Sequence, residues 1–217
     1  MKVVQCWDDG NVDDIRLVGM LREFGAKASF NLNLAMHGSV RSTAWRYQGR
    51  KDVWKLALGE LRDIYDGFLV ANHTATHPHL TRIPLEDAIR EIRDGRDALE
   101  QHFGYPVRGF AYPFGDHNAA VRSAVQDAGH VYGRIVETTA HAFPAPDPMA
   151  LRPSCHFLSD QFWPIYDQVR AADGIFYFWG HSYELMTEAD WNRLQGMIRR
   201  ISADPAVVWE DLPNLFP

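Results

Sequence analysis

Short apolar runs alternate along this chain with amphipathic stretches. "KVVQC" (2–6), "KASFNLN" (27–33) and "FLVAN" (68–72) are brief, rich in β-branched and aromatic residues, and bounded by polar positions. That is how buried strands read. "RGFAY" (108–112), "HVYGRIVE" (130–137), "LRPSCHF" (151–157), "GIFYFW" (174–179) and "AVVW" (206–209) continue the series. Between them the period changes. Ile15, Leu17, Val18, Leu21 and Phe24 fall at helical spacing, with Asp13 placed to cap that helix and Gly25 to end it. Pro84 opens a long amphipathic helix running to about His102, with Gly104 beyond its end. Further helices are predicted over 53–67, 117–128, 160–172 and 187–202. Residues 34–50 carry neither period and read as a long polar loop able to cover a site.

Strands alternating with helices predict parallel βαβ units. Seven or eight such units fit a closed or partly closed barrel better than an open sheet. In a barrel of this kind functional groups collect where strands end. The polar clusters follow that rule: "DDG" after the first strand, "NHTATHPH" after 68–72, "PFGDH" after 108–112 and "GHS" after 174–179. The chain reads as one catalytic-sized domain over 1–217.

Composition narrows the class of partner. Lys plus Arg is 22 against 28 Asp plus Glu, a formal net charge of −6, and no basic run offsets it. Nothing here pulls the chain toward nucleic acid or an anionic membrane. No apolar stretch reaches the length of a membrane span. The start, "MKVVQCWDDG", enters a strand at once and has no leader-like core, which predicts a cytoplasmic protein. Cys6 and Cys155 both fall in strands and read as reduced, buried thiols.

The chemistry concentrates in two clusters. His73 and His77 form an HxxxH pair, and on a helical turn both imidazoles would share a face. Two neutral nitrogens plus one carboxylate leave open positions on an ion, the pattern of a catalytic metal. Asp8 and Asp9 sit side by side at a strand end, where neighbours point in different directions, so one can face an ion and the other a water. His79 reads as lying outside that ion's reach.

"CWDDG", "HTATH", "FAYPFG" and "WGHS" occur in the order and approximate spacing of the motifs of the NodB-homology polysaccharide deacetylases, carbohydrate esterase family 4. The resemblance runs from Val3 to about Val208. It implies a distorted (β/α)7 barrel and a hydrolase that removes acetyl groups from an N-acetylated oligo- or polysaccharide. It also implies one divalent ion, zinc in the first instance, with Co2+, Ni2+, Mn2+ or Fe2+ as alternatives. Carried over by position, Asp8 matches the general base, and Asp9, His73 and His77 match the metal ligands. Phe114 matches the residue whose backbone N–H faces the oxyanion, and His181 the general acid. Amide hydrolysis justifies these types, because the ion polarises the carbonyl and acidifies a water, the carboxylate takes a proton, and the histidine protonates the departing amine.

The chain departs from the family pattern at Ala111, where an arginine commonly braces the base. Arg152, opening "LRPSCHF", is the expected replacement. The fourth motif is not recognisable, and Ser182 follows His181 where an aspartate is frequent, leaving Asp160 as a carboxylate to orient the acid. Trp179, Trp45 and Tyr112 are the expected substrate contacts. Two other functions stay open: hydrolysis of a different non-peptide C–N bond, an amide or cyclic ureide, and carbohydrate binding with weakened catalysis. The substrate is an N-acetylated saccharide or a small N-acyl compound.

Overall fold

Every strand of the main sheet runs parallel to its neighbours in the computed structural model, which describes residues 1–216. The elements in chain order are β1 (Lys2–Asp8), α1 (Asp14–Glu23), β2 (Ser29–Leu32), β3 (Ser42–Tyr47), β4 (Lys51–Lys55), α2 (Leu61–Ile64), β5 (Leu69–Asn72) and α3 (Leu85–Phe103). There follow β6 (Gly109–Ala111), α4 (Ala119–Asp127), β7 (Tyr132–Arg134), β8 (Cys155–His156), α5 (Phe162–Ala171), β9 (Ile175–Gly180), α6 (Glu188–Ser202) and β10 (Val208–Trp209).

The sheet order is β7-β6-β5-β2-β1-β9-β8, with β10 beside the start of β1. Leu151 bridges to Arg134 at the end of β7, while Cys155 and His156 pair with β9. Residues 151–156 therefore stand between the two flanks and close the curl. This is the distorted (β/α)7 barrel that the family resemblance implies. Among the described residues no helix is long and apolar enough to cross a membrane.

Burial explains the layers. β1 is buried from Val3 to Asp8, as expected of a central strand covered on both faces. In α3, Ala88, Ile92, Gly95 and Leu99 face inward at steps of three and four. Gly95 lets this helix approach the end of β5, since a Cβ there would lie 2.6 Å from Asn72 Oδ1. That contact fixes the strand that leads directly into His73.

Three local expectations change. Residues 34–50 are not a plain loop, and Val53 to Lys55 are not helical. β3 and β4 form an antiparallel hairpin, with Trp45 opposite Val53. Only Leu61–Ile64 forms an α-helix in that region. The buried Lys55 breaks the apolar alternation that would have marked the strand. The 151–157 run narrows to Cys155–His156, because Pro153 has no N–H to give a ladder. Asp13 makes no side-chain cap, and its carboxylate lies 3.0 Å from Lys51 Nζ.

Candidate active site

The C-terminal ends of β1, β5, β6, β7 and β9 surround one cavity of about 410 Å³. Its lining includes Asp8, Asp9, His73, His77, Arg134 and His181. Sequence order scatters these residues, and the parallel sheet brings them to one end.

β1 delivers both carboxylates, by different means. Asp8 is the last strand residue and faces the cavity directly. Strand alternation would send Asp9 to the opposite face, but Asp9 has φ 83° and turns its carboxylate back to the same side. Gly10 follows with φ 63°, and a Cβ there would come within 2.8 Å of the His37 ring. The glycine of "DDG" is thus required both by backbone conformation and by space.

His73 extends from β5, and its Nδ1 donates to the Ala111 carbonyl at 2.7 Å. The bond fixes the tautomer and turns the Nε2 lone pair into the cavity. His77 arrives without a helix. Thr74 and His77 both adopt left-handed backbone, and the His77 amide donates to Thr74 Oγ1 at 3.0 Å. The two Nε2 atoms stand 3.1 Å apart, and Asp9 Oδ1 is 3.7 Å from that of His77 and 4.0 Å from that of His73. One ligand atom from each of the three residues lies within 4.8 Å of the others. Burial lowers the pKa of both imidazoles, that of His77 to about 3, so both are neutral. Burial alone would raise the Asp9 pKa, but Lys55 first and His181 next hold it down, so it is ionised. Two neutral nitrogens and an anionic oxygen converging on one point are a donor set that fits a divalent ion.

Asp8 is held from both sides. Asn31 Nδ2 donates to its Oδ1 at 2.6 Å, and Arg134 Nη2 donates to its Oδ2. Burial acts to raise the Asp8 pKa, and the Arg134 guanidinium, together with the neighbouring histidines, brings it below the usual carboxylate value. The expected brace, Arg152, is exposed and lines a separate depression with Arg122 and Asp147. The correction follows from strand register. Arg134 ends β7 and is the direct partner of Ala111 on β6, so its side chain enters at the same level. Only Leu151 of the 151–157 run bridges to this flank, and Arg152 turns outward.

His181 follows β9, with Nε2 3.8 Å from Asp8 Oδ2 and 3.9 Å from Asp9 Oδ2. Asp160 is exposed on the turn before α5 and is not the carboxylate beside it. Glu184 is. Its Oε2 lies 3.3 Å from His181 Nδ1 and accepts the His181 amide at 3.0 Å. The same oxygen is 2.9 Å from His156 Nε2, while His156 Nδ1 accepts the Leu158 amide. The proton of His156 therefore sits on Nε2 and faces Glu184. Burial opposes the charge on His181, yet Glu184 and the two aspartates raise its pKa above the ordinary imidazole value. Ser182 does not orient the His181 ring and donates to Asp14 Oδ1 at 2.5 Å.

Phe114 sits in the turn after β6 with φ 58°, its ring stacked on His79 at 3.8 Å. His79 is outside the ligand trio. Trp179, Trp45 and Tyr112 all line the cavity, and the Tyr112 hydroxyl is tied to the Met149 carbonyl. Sequence reasoning missed Arg134, Glu184, Lys55 and Tyr183. Arg134 and Glu184 each carried a signal, one as the charged end of a strand and the other three residues past His181.

The description "polysaccharide deacetylase" belongs to the family model that matches residues 1–133. A curated relative, the peptidoglycan-N-acetylmuramic acid deacetylase PdaC of Bacillus subtilis (strain 168), is 33% identical over 66 residues. That match spans 30% of this chain and 14% of the relative. Among solved structures, a family 4 carbohydrate esterase from Streptomyces lividans in complex with acetate superposes with TM-score 0.60. It is 21% identical, over 95% of this chain and 90% of that one. The peptidoglycan deacetylase PdaC from Bacillus subtilis gives TM-score 0.58 at 19% identity, over 98% and 88%. These superpositions establish the fold.

Proposed function

Because this chain belongs to the polysaccharide deacetylase family, we propose that it hydrolyses the acetamide of an N-acetylated saccharide with the help of one divalent ion, zinc in the first instance. The observation that carries the reading is the convergence of Asp9, His73 and His77 beside a second, separately held carboxylate. Bound by those three residues, a divalent ion would polarise the acetyl carbonyl and make a water acidic enough to attack it near neutral pH.

The chain's own groups move the protons. Asp8 is ionised, and its orientation is set by Asn31 and Arg134, so it accepts the proton of the attacking water. The Phe114 backbone N–H is the proposed donor to the oxygen that becomes negative. His181, whose pKa Glu184 and the two aspartates raise, is the proposed acid and delivers a proton from Nε2 to the departing sugar amine. Glu184, held by His156, keeps the His181 ring turned toward the cavity. The C–N bond breaks, water supplies the new C–O bond, and the products are acetate and a free amine. Trp179 and Trp45 supply flat apolar surface for a sugar face. The arginine absent at Ala111 is compensated by Arg134, which supports catalysis over a purely binding role.

The test is acetate release from N-acetylated oligosaccharides by zinc-loaded protein, before and after chelation. Loss of activity on chelation and recovery with zinc are expected. Equal rates in both states would overturn the metal role. Turnover of cyclic ureides, with no acetate released from any sugar, would overturn the substrate class.

A further inference from the structure

We infer that the cavity takes a single N-acetylated sugar residue, free or at a chain end, and does not take an internal residue of a threaded polymer. The inference rests on the deacetylase reading and concerns how that same site is walled.

A polymer can pass through a site only if the site is open on both sides of the reacting residue. Here the β3–β4 hairpin closes one side. It is pinned at two places. On the β1 side, the Val12 amide donates to Trp54 O at 2.8 Å and the Leu56 amide to Gly10 O at 3.3 Å. On the β9 side, Lys51 Nζ donates to Leu185 O at 3.0 Å. Between these anchors Trp45 and Tyr47 meet Tyr183 edge to face, at 5.2 and 5.1 Å between ring centres. Tyr183 in turn lies 4.8 Å from the His181 ring. An aromatic bridge therefore joins the hairpin to the segment that carries the acid.

This wall is fastened to the floor of the site. Lys55, at the hairpin's end, is buried and donates from Nζ to the Asp9 carbonyl and to Asn33 Oδ1, the latter at 2.8 Å. Swinging the hairpin away would strip a buried ammonium of its partners, which is costly. The bridge thus behaves as a fixed wall.

Size and chemistry agree. At about 410 Å³ the cavity lies near the lower end of the roughly 300–1,000 Å³ range of small-ligand pockets. Its charged groups pair with one another on the floor. Above them the walls are Met36, Trp45, Phe114, Val136 and Tyr183, which offer few partners for the hydroxyls of flanking sugars. Phe114 is half exposed and marks the open side.

Stoichiometry tests this directly. Zinc-loaded protein is given N-acetylglucosamine and its β-1,4 oligomers of two to six residues. Acetate is counted, and the deacetylated position is mapped by mass spectrometry of end-labelled chains. One acetate per chain, always from an end, is expected, with kcat/KM changing less than about threefold from dimer to hexamer. The Trp45→Ala, Tyr47→Ala double variant opens the wall and should raise the hexamer-to-dimer ratio of kcat/KM by about tenfold. Several acetates per hexamer, internal deacetylation, or a tenfold climb in kcat/KM with length in the unaltered protein would overturn the inference and leave the deacetylase reading standing. No acetate from any of these sugars would overturn both.

Discussion

Arg134 reaches Asp8 from the strand beside Ala111, so the guanidinium enters the site one strand away from its place in the family motif. Both side chains are almost completely buried. Replacing Arg134 by Met would leave a buried carboxylate without its cation, at a cost of about 3–5 kcal/mol in stability. The Asp8 pKa should rise, and the acid limb of the pH–rate profile should move to higher pH. Arg134→Lys keeps the charge without the fork and should fall between the two. Arg152→Met should leave kcat unchanged. Urea unfolding and acetate release, measured on all three variants, check this.

The two aspartates should separate cleanly. Asp9→Asn removes an anionic ligand, and zinc content after dialysis should drop well below one per chain. Asp8→Asn should retain the metal and lose turnover by roughly 10²–10⁴-fold, the usual contribution of a general base. Metal analysis beside steady-state rates decides it. Equal zinc loss in both variants would contradict the division of roles.

Glu184 should tune the acid. It lies beside His181 Nδ1 and helps raise that imidazole's pKa. Glu184→Gln removes the charge, so His181 should lose its proton at a lower pH. The alkaline limb of the kcat profile should then shift toward acid, with lower kcat throughout. His156→Ala should produce a smaller shift in the same direction. An alkaline limb that stays in place would exclude Glu184 from this role.

Asp14 gives a pH effect on stability. It is fully buried and accepts from Tyr65 Oη at 2.6 Å and Ser182 Oγ at 2.5 Å. Burial raises its pKa from 3.8 to about 7. The folded state therefore binds a proton that the unfolded chain has already released. Stability from this group is fully present below the unfolded value and declines as pH rises to about 7. Asp14→Asn has no such loss. Between pH 5 and pH 7 the stability difference should move toward the variant by about 2 kcal/mol, the slope of about 1.4 kcal/mol per pH unit falling off as pH nears the folded value. Chemical unfolding of both proteins at the two pH values measures it.

The order of strands and helices was legible because each βα unit writes its own period into the chain. The convergence of Asp9, His73 and His77 was legible for a related reason: they lie in the segments that leave strands β1 and β5. The mechanism expected for two of them was not the one used. His73 and His77 do not meet on a helical turn, and Asp8 and Asp9 do not diverge by strand alternation. Left-handed backbone at Thr74, His77 and Asp9 does both tasks, and a one-residue conformational choice leaves no periodic trace. Arg134 was hidden for another reason. Its role depends on which strand stands beside β6 and in what register, and pairing between distant segments cannot be read from either alone. The hairpin was obscured because its inward-facing Lys55 is polar, so the strand looked like part of a helix.

The closure of the barrel bears on how firmly the site is held. Six residue pairs register β1 against β9, whereas the seam on the far side consists of β8, two residues long, and one bridge at Leu151. Amide hydrogen exchange should therefore be graded around the barrel, slow along β1 and fastest at Ile135 and Leu151, whose amides form the seam bonds. Arg134 lies between those bonds, on the strand the seam protects. Each transient opening there loosens the guanidinium that orients Asp8, so the free energy of parting this short seam sets a ceiling on how long that carboxylate stays aimed.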